Sequence, residues 1–203
     1  MENYVKDKFG IIHQVKKNEF FKDYGVERNN YGELSNYLSY LRLGFIQGIL
    51  PVDNNCSILD VGFGNGDFLR ACQKYFKVCA GYDLFYDYLP TNCVKEESLH
   101  NNYYDVVTFF DSLEHFDDIN VLDKIKCKYV VISVPNCITD DPEWFMNWKH
   151  RRPDEHLHHF NADSLCAFLN SQGYAIHTVS HFEDTIRKNP GVNNILTVAA
   201  EKL

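Results

Sequence analysis

Ile58, Leu59, Asp60 and Val61 form a short apolar run that carries one acid. The chain then breaks at alternate glycines, Gly62, Gly64 and Gly66, and helical spacing resumes through Phe68, Leu69 and Cys72. A strand, a glycine turn and a helix in that order make a corner where bare backbone approaches a nucleotide-bearing ligand. The dinucleotide fingerprint G-x-G-x-x-G would put its third glycine at position 67, which is Asp67. Asp60 at the strand end would also repel a pyrophosphate lying on the turn. The pattern suits a ligand that brings a positive group to the acid. A second acid, Asp83, closes the stretch Lys77 to Tyr82. A carboxylate at that strand end can accept hydrogen bonds from both hydroxyls of a ribose.

A further constellation follows the apolar run Tyr103 to Phe110: Asp111-Ser112-Leu113-Glu114-His115-Phe116. Together, Ile58-Leu59-Asp60-Val61-Gly62-Phe63-Gly64-Asn65-Gly66 and this acid-x-x-Glu-His run resemble the class I S-adenosylmethionine-dependent methyltransferases of the small-molecule type. Glu155-His156-Leu157 to Phe160, a helix, and then Gly173-Tyr174 are similar to the C-terminal part of such enzymes. The resemblance covers roughly residues 35–203. It implies an α/β, Rossmann-like fold: a mostly parallel sheet with an antiparallel last strand and helices on both faces. It implies S-adenosylmethionine as cofactor, bound by Asp60, Gly62, Phe63, Gly64, Asn65, Gly66, Asp83, Leu84, Phe110, Asp111 and Ser112. Glu96, Glu97 and Ser98 are candidates for the adenine amino group.

The implied reaction is methylation of a small-molecule acceptor, first a sugar or glycan precursor, at oxygen or less often at nitrogen. A hydroxyl acceptor must lose its proton, and an imidazole titrates near neutrality. His115 is the leading candidate base. His156 and His159, near Asp154 and Glu155, are further catalytic candidates. Magnesium prefers oxygen ligands and the histidine spacing fits no zinc motif, so no metal ligands are assigned. Lys149, Arg151 and Arg152 form a basic cluster suited to a phosphorylated metabolite or to a solvated loop face. Two rival functions stand beside this one: a non-catalytic S-adenosylmethionine-binding or regulatory protein, and a nicotinamide-dependent oxidoreductase.

The elements that must position these groups follow from periodicity. Leu34, Leu38, Leu41, Phe45 and Ile49 predict a helix over 33–50 with one apolar stripe, ended by Pro51. Strands are expected at 77–82, near Cys93 and Val94, at 103–110, 129–134, 174–181 and 195–200. Only Leu84 to Thr91 separates the second strand from the weak third one, so that strand is expected to be very short or reached by a compact loop. Asp117 is expected to cap a helix through Val121, Leu122 and Ile125. The segment 137–159 reads as irregular, and Asn161 as the cap of a helix closed by Gly173. Residues 1–30, with Tyr4, Phe9, Phe20, Phe21 and Tyr24, read equally as a lid or a packed extension. The expected organisation is one methyltransferase domain over 1–203: an N-terminal helical or lid region at 1–50, and a core at 56–203 with an acceptor-side insertion at 136–160.

Composition narrows the partners. A formal net charge of −8 argues against nucleic acid, which needs a basic footprint. The Asp/Asn-Pro-Pro-aromatic run of DNA amino-methylating enzymes is missing after position 110, and so is a Pro-Cys nucleophile. Seven scattered cysteines with no C-x-x-C pair exclude a disulfide framework or zinc ribbon and suit a reducing compartment. The polar stretch Met1 to Lys8 is unlike a signal peptide, and the run Tyr129 to Val134 is far too short for a bilayer. A cytoplasmic location with no membrane partner is expected.

Overall fold

The computed structural model describes residues 3–17, 32–85, 88–187 and 192–203. Phe20, Phe21 and Tyr24 lie outside the described residues. The chain runs β1 (Tyr4–Lys6), β2 (Ile12–Gln14), α1 (Gly32–Ile49), β3 (Ser57–Val61), α2 (Asp67–Cys72), β4 (Val78–Tyr82), β5 (Val94–Lys95), β6 (Tyr103–Phe110), α3 (Val121–Lys124), β7 (Lys126–Pro135), α4 (Pro142–Asn147), β8 (His158–His159), α5 (Ala162–Ser171), β9 (Tyr174–Ser180) and β10 (Ile195–Lys202).

Seven strands form one sheet in the order β5-β4-β3-β6-β7-β10-β9. The first five are parallel, and β10 runs antiparallel to both β7 and β9. The order reverses between β3 and β6, so the carboxyl ends of those two strands open a crevice. This is the Rossmann-like arrangement that the sequence motifs imply. The expected weak third strand is β5, two residues long, paired in parallel with β4.

β6 and β7 read as near-continuous apolar runs because both sheet faces are covered. On one face Leu59, Val107, Phe109, Val130 and Ile132 pack with Leu165, Phe168 and Leu169 of α5. On the other, Ile58, Val106 and Val131 pack with Leu43 and Ile46 of α1 and with Phe68 and Cys72 of α2. Asn161 and Ser164 form a reciprocal capping box at the start of α5.

Three expectations give way. The buried face of α1 is Ser39, Leu43 and Ile46, continued by Leu50 just past its end, whereas Leu34, at the head of the predicted stripe, is 46% exposed. The helix is turned so that Arg42 reaches inward to Asp111 and Glu183. Asp117 does not cap α3: it pairs with Lys17 at 2.6 Å, and Asn120 takes the cap position. The segment 137–159 is less irregular than its sequence suggests. Pro142 starts α4, Asp141 caps it through the Trp144 N–H, and β8 joins a small antiparallel sheet with β2 and β1. That sheet makes residues 4–14 a packed extension.

The capping box predicts that Asn161→Ala lowers unfolding stability by about 1 kcal/mol. Urea denaturation checks this; a change below a few tenths of a kcal/mol would mean the cap contributes nothing.

Candidate active site

A cleft of about 570 Å³ opens at the crevice, walled by Gly62, Tyr82, Asp83, Leu84, Phe85, His100, Asp111, Ser112, His115 and Phe116, with Lys17 and Asp117 at its rim. Of the residues chosen from sequence, Gly62, Asp83, Leu84, Asp111, Ser112 and His115 line it. The wall between β3 and β6 is tight. Gly62 sits at φ +79°, and a Cβ there would come within 2.6 Å of the Ser112 Cβ. The Ser112 hydroxyl donates to the Val61 carbonyl at 2.6 Å, which fixes that approach. Asp83 is held by two backbone amides: Gly64 N–H donates to Oδ2 at 3.0 Å and Phe85 N–H to Oδ1 at 2.8 Å.

The remaining loop residues build the corner from behind. Asp60 is 4% exposed and is not among the residues that line the cleft. Its carboxylate accepts from the Thr108 hydroxyl at 2.7 Å. Burial pushes it up to about 6, against that hydrogen bond and the Arg42 charge. Phe63 and Phe110 are likewise buried packing groups, with Phe110 under the Arg42 guanidinium at 4.4 Å. Asn65 closes the turn by bonding Asp67 in both directions, at 2.6 and 3.1 Å, and Ser35 of α1 donates to Asp67 at 2.6 Å. Gly66 takes the left-handed N-cap of α2, at φ +75°, against the Pro90 ring.

Glu96 is not a cleft residue. It is buried and accepts from the Tyr104 hydroxyl and from Asn102 Nδ2 at 2.8 Å, which ties the β5 end to β6. Glu97 is an exposed partner of Lys95, and Ser98 accepts from the His100 N–H. His100, unremarked in the sequence, lines the cleft instead, and its Nδ1 is buried without a hydrogen-bond partner among the described residues.

Asp111 ends β6 with φ +53°, an unusual backbone for a non-glycine residue. It accepts from Arg42 at 2.7 Å and twice from Arg187 at 2.8 Å. Both arginines also bond Glu183, whose side chain is 0% exposed. Burial pushes the Asp111 carboxyl up, but Arg187 and Arg42 outweigh it and hold the group below the usual carboxylate range. Arg42, Glu183 and Arg187 went unmarked in the sequence. Arg42 is one charge inside an amphipathic helix, and the other two belong to a late turn, so nothing in the local pattern flags them.

The three candidate histidines part company. His115 and His156 meet edge to face, with ring centroids 4.7 Å apart. Each has its Nδ1 2.8 Å from a backbone carbonyl, His115 from that of Glu155 and His156 from that of His150. Burial, with the His115 and Arg152 charges, pulls the His156 imidazole far below its usual range, so it is neutral. His159 is enclosed by Tyr4, Phe145 and Trp148 and borders a different, small cavity. His159 lies on β8, whereas His156 precedes that strand. Glu114 joins the first pair: its carboxylate is buried, lies 3.9 Å from His115 Nε2, and has no hydrogen-bond partner on either oxygen among the described residues. Burial and the Asp111 charge push it well above the usual carboxylate range. The sequence motif contains Glu114, but its pairing with His156 is a product of folding.

A second cavity, about 460 Å³, lies past the end of β7. Trp144 and Trp148 stack there at 5.3 Å beside Asn136, Lys149, Asn193 and Asn194. Arg187 bonds a residue of each: its carbonyl accepts from Asn194 and its guanidinium donates to Asp111.

Comparison with known proteins agrees with this fold. Residues 27–179 match the family described as "Methyltransferase domain". No curated protein matches the chain by sequence. Among solved structures, the methyltransferase partner of the Trm112 activator from Haloferax volcanii is similar at TM-score 0.64 and 10% identity, covering 91% of this chain and 100% of that one. An S-adenosylmethionine-dependent methyltransferase from Mesorhizobium loti gives 0.56 and 18%, covering 80% and 98%. One described as putative, from Listeria monocytogenes, gives 0.53 and 16%, covering 81% and 99%. At such identities the likeness is one of fold. No helix among the described residues is long and apolar enough to cross a membrane.

The Arg42 contacts carry a stability consequence. Arg42→Met would strand the buried Glu183 carboxylate with one cation fewer, and unfolding free energy should fall by about 3–5 kcal/mol. A loss under about 1 kcal/mol in chemical denaturation would show that Arg187 alone neutralises the cluster.

Proposed function

The chain belongs to the methyltransferase domain family, and from that premise we propose that it methylates an oxygen of a small hydroxylated metabolite, a sugar or glycan precursor first. The donor is S-adenosylmethionine. The residues fit that donor on three counts. Gly62 presents bare backbone to the cleft, with Ser112 packed closely against it. Asp83 is a fixed carboxylate for a ribose. A cleft of about 570 Å³ is of small-molecule size. Leu84, Phe85 and His100 are the groups for the adenine end.

The observation that carries the oxygen-methylation reading is that Asp83 and His115 share one cleft. The sulfonium supplies the methyl group: the acceptor oxygen forms the new C–O bond while the S–C bond breaks, with both electrons left on sulfur. The acceptor must then shed its proton. In this reading the cluster of Glu114, His115 and His156 takes charge of that proton, with both imidazoles fixed by backbone carbonyls. The elements around the cleft hold donor and acceptor in line, a contribution of about 7–11 kcal/mol when alignment is good.

The acceptor class is supported by the second cavity. Indole faces suit the C–H face of a sugar ring, and side-chain amides suit its hydroxyls. Lys149 on the same wall extends the class to phosphorylated sugars.

Asp83→Ala should weaken S-adenosylmethionine binding about tenfold or more, in line with the roughly 1.5–3 kcal/mol of a hydrogen bond to a charged group. Unchanged affinity by calorimetry would remove the ribose assignment. For His115→Ala, turnover on a hydroxylated acceptor should drop about 100-fold or more, with donor affinity little changed. Near-normal turnover would take His115 out of the chemistry.

A further inference from the structure

We propose that Glu114, His115 and His156 form a binding site for one divalent transition-metal ion, open to the acceptor side of the cleft. One ligand atom from each residue lies within 4.8 Å of the others. Zinc with bonds of 2.0–2.1 Å places tetrahedral ligands about 3.3 Å apart, so small side-chain rotations close the set.

Three further observations point to a cation. The first is the Glu114 carboxylate, buried with neither oxygen hydrogen-bonded among the described residues. Asp111 has Arg42 and Arg187 as partners, whereas the Glu114 carboxyl, pushed well above the usual range by burial and the Asp111 charge, would ionise on taking up a cation. The second is the tautomer of both imidazoles. A carbonyl only accepts, so Nδ1 of His115 and of His156 carries the proton and Nε2 the lone pair. Backbone carbonyls hold metal-ligating histidines in this way. The third is the asymmetry of exposure. The Glu114 side chain is 2% exposed and that of His115 is 28% exposed, so the cluster is closed from behind and open toward the cleft. Remaining coordination positions would face an acceptor.

Two imidazole nitrogens and one carboxylate favour zinc, manganese, iron or cobalt over magnesium or calcium, which take oxygen donors. The metal site stands on its own geometry; its part in catalysis rests on the oxygen-methylation reading. There, the ion would bind the acceptor hydroxyl and lower its pKa, and the proton would leave to solvent as the C–O bond forms. His115 would then act as a ligand rather than as the direct base.

The test uses the full chain, stripped with a chelator, equilibrated with Zn2+, Mn2+ or Co2+ and dialysed. Bound metal is counted by mass spectrometry, and Co2+ is followed by its visible absorption. The expected result is one ion per chain. Glu114→Gln, His156→Asn and His115→Asn should each lower metal affinity about 100-fold or more, since even an outer partner of a ligand is worth 10–100-fold. His13→Ala, which alters the separate His13–His158 pair, should leave metal affinity unchanged. S-adenosylmethionine binding by each variant serves as the check on folding, and the two histidine variants decide the matter if Glu114→Gln does not fold. No stoichiometric ion on the wild-type chain, or an affinity indifferent to all three ligand substitutions, overturns the proposal. Turnover lost in the His115 variant without any bound metal would leave the methylation reading intact and remove the ion. Bound metal with no hydroxyl acceptor turned over would do the reverse.

Discussion

The contacts around Asp111 hold three distant parts of the chain to one point. Arg42 comes from α1, Asp111 from the end of β6, and Glu183 and Arg187 from the turn before β10. Two guanidiniums and two carboxylates compensate one another there, which is what makes burial of Glu183 tolerable. The same contacts set the rotation of α1, bring Phe110 under Arg42 and hold Asp111 in a left-handed backbone. Gly62, Ser112 and His115 depend on that strand end being where it is.

Around this anchor the cleft has two walls of different character. The β3–β4 wall is backbone and carboxylate: a glycine turn that admits no side chain, with Asp83 fixed by amides. The β6 wall carries the groups suited to proton or metal chemistry, in a 3-10 turn, Leu113–His115, that follows Ser112 directly. His156 arrives from the far segment, and the Leu157 N–H donates to the Glu114 carbonyl at 2.8 Å to join the two stretches. A donor wall and a reactive wall facing across one crevice is the arrangement a group-transfer enzyme needs.

Much of this was legible in the sequence where local pattern and tertiary role coincide. The β3 glycine corner and β6 are apolar runs broken by residues whose positions the backbone dictates, and the family motifs lie on them. Asn161 and Gly173 signal α5 because caps are local chemistry. What escaped was decided by partners far along the chain. Of the stripe from Leu34 to Ile49, Phe45 and Ile49 pack against the core while Leu34 is exposed, and Arg42 on the same helix reaches partners 69 and 141 positions away. Glu96 looked like a ligand group and is a strut, because Tyr104 and Asn102 reach it first. His156 and His159 looked equivalent, and the fold sent one to His115 and the other to Phe145 and Trp148. The Glu114–His156 juxtaposition has no short-range spacing to find.

The central claim is that the cleft between the ends of β3 and β6 holds the sulfonium donor. Calorimetric titration of the full chain with S-adenosylmethionine and S-adenosylhomocysteine, with nicotinamide dinucleotides run alongside, tests it most directly. The account predicts one site per chain, with affinity of about micromolar, near −8 kcal/mol, for the sulfur ligands and no heat from the dinucleotides. Dinucleotide binding, or no binding of either sulfur ligand, would contradict it.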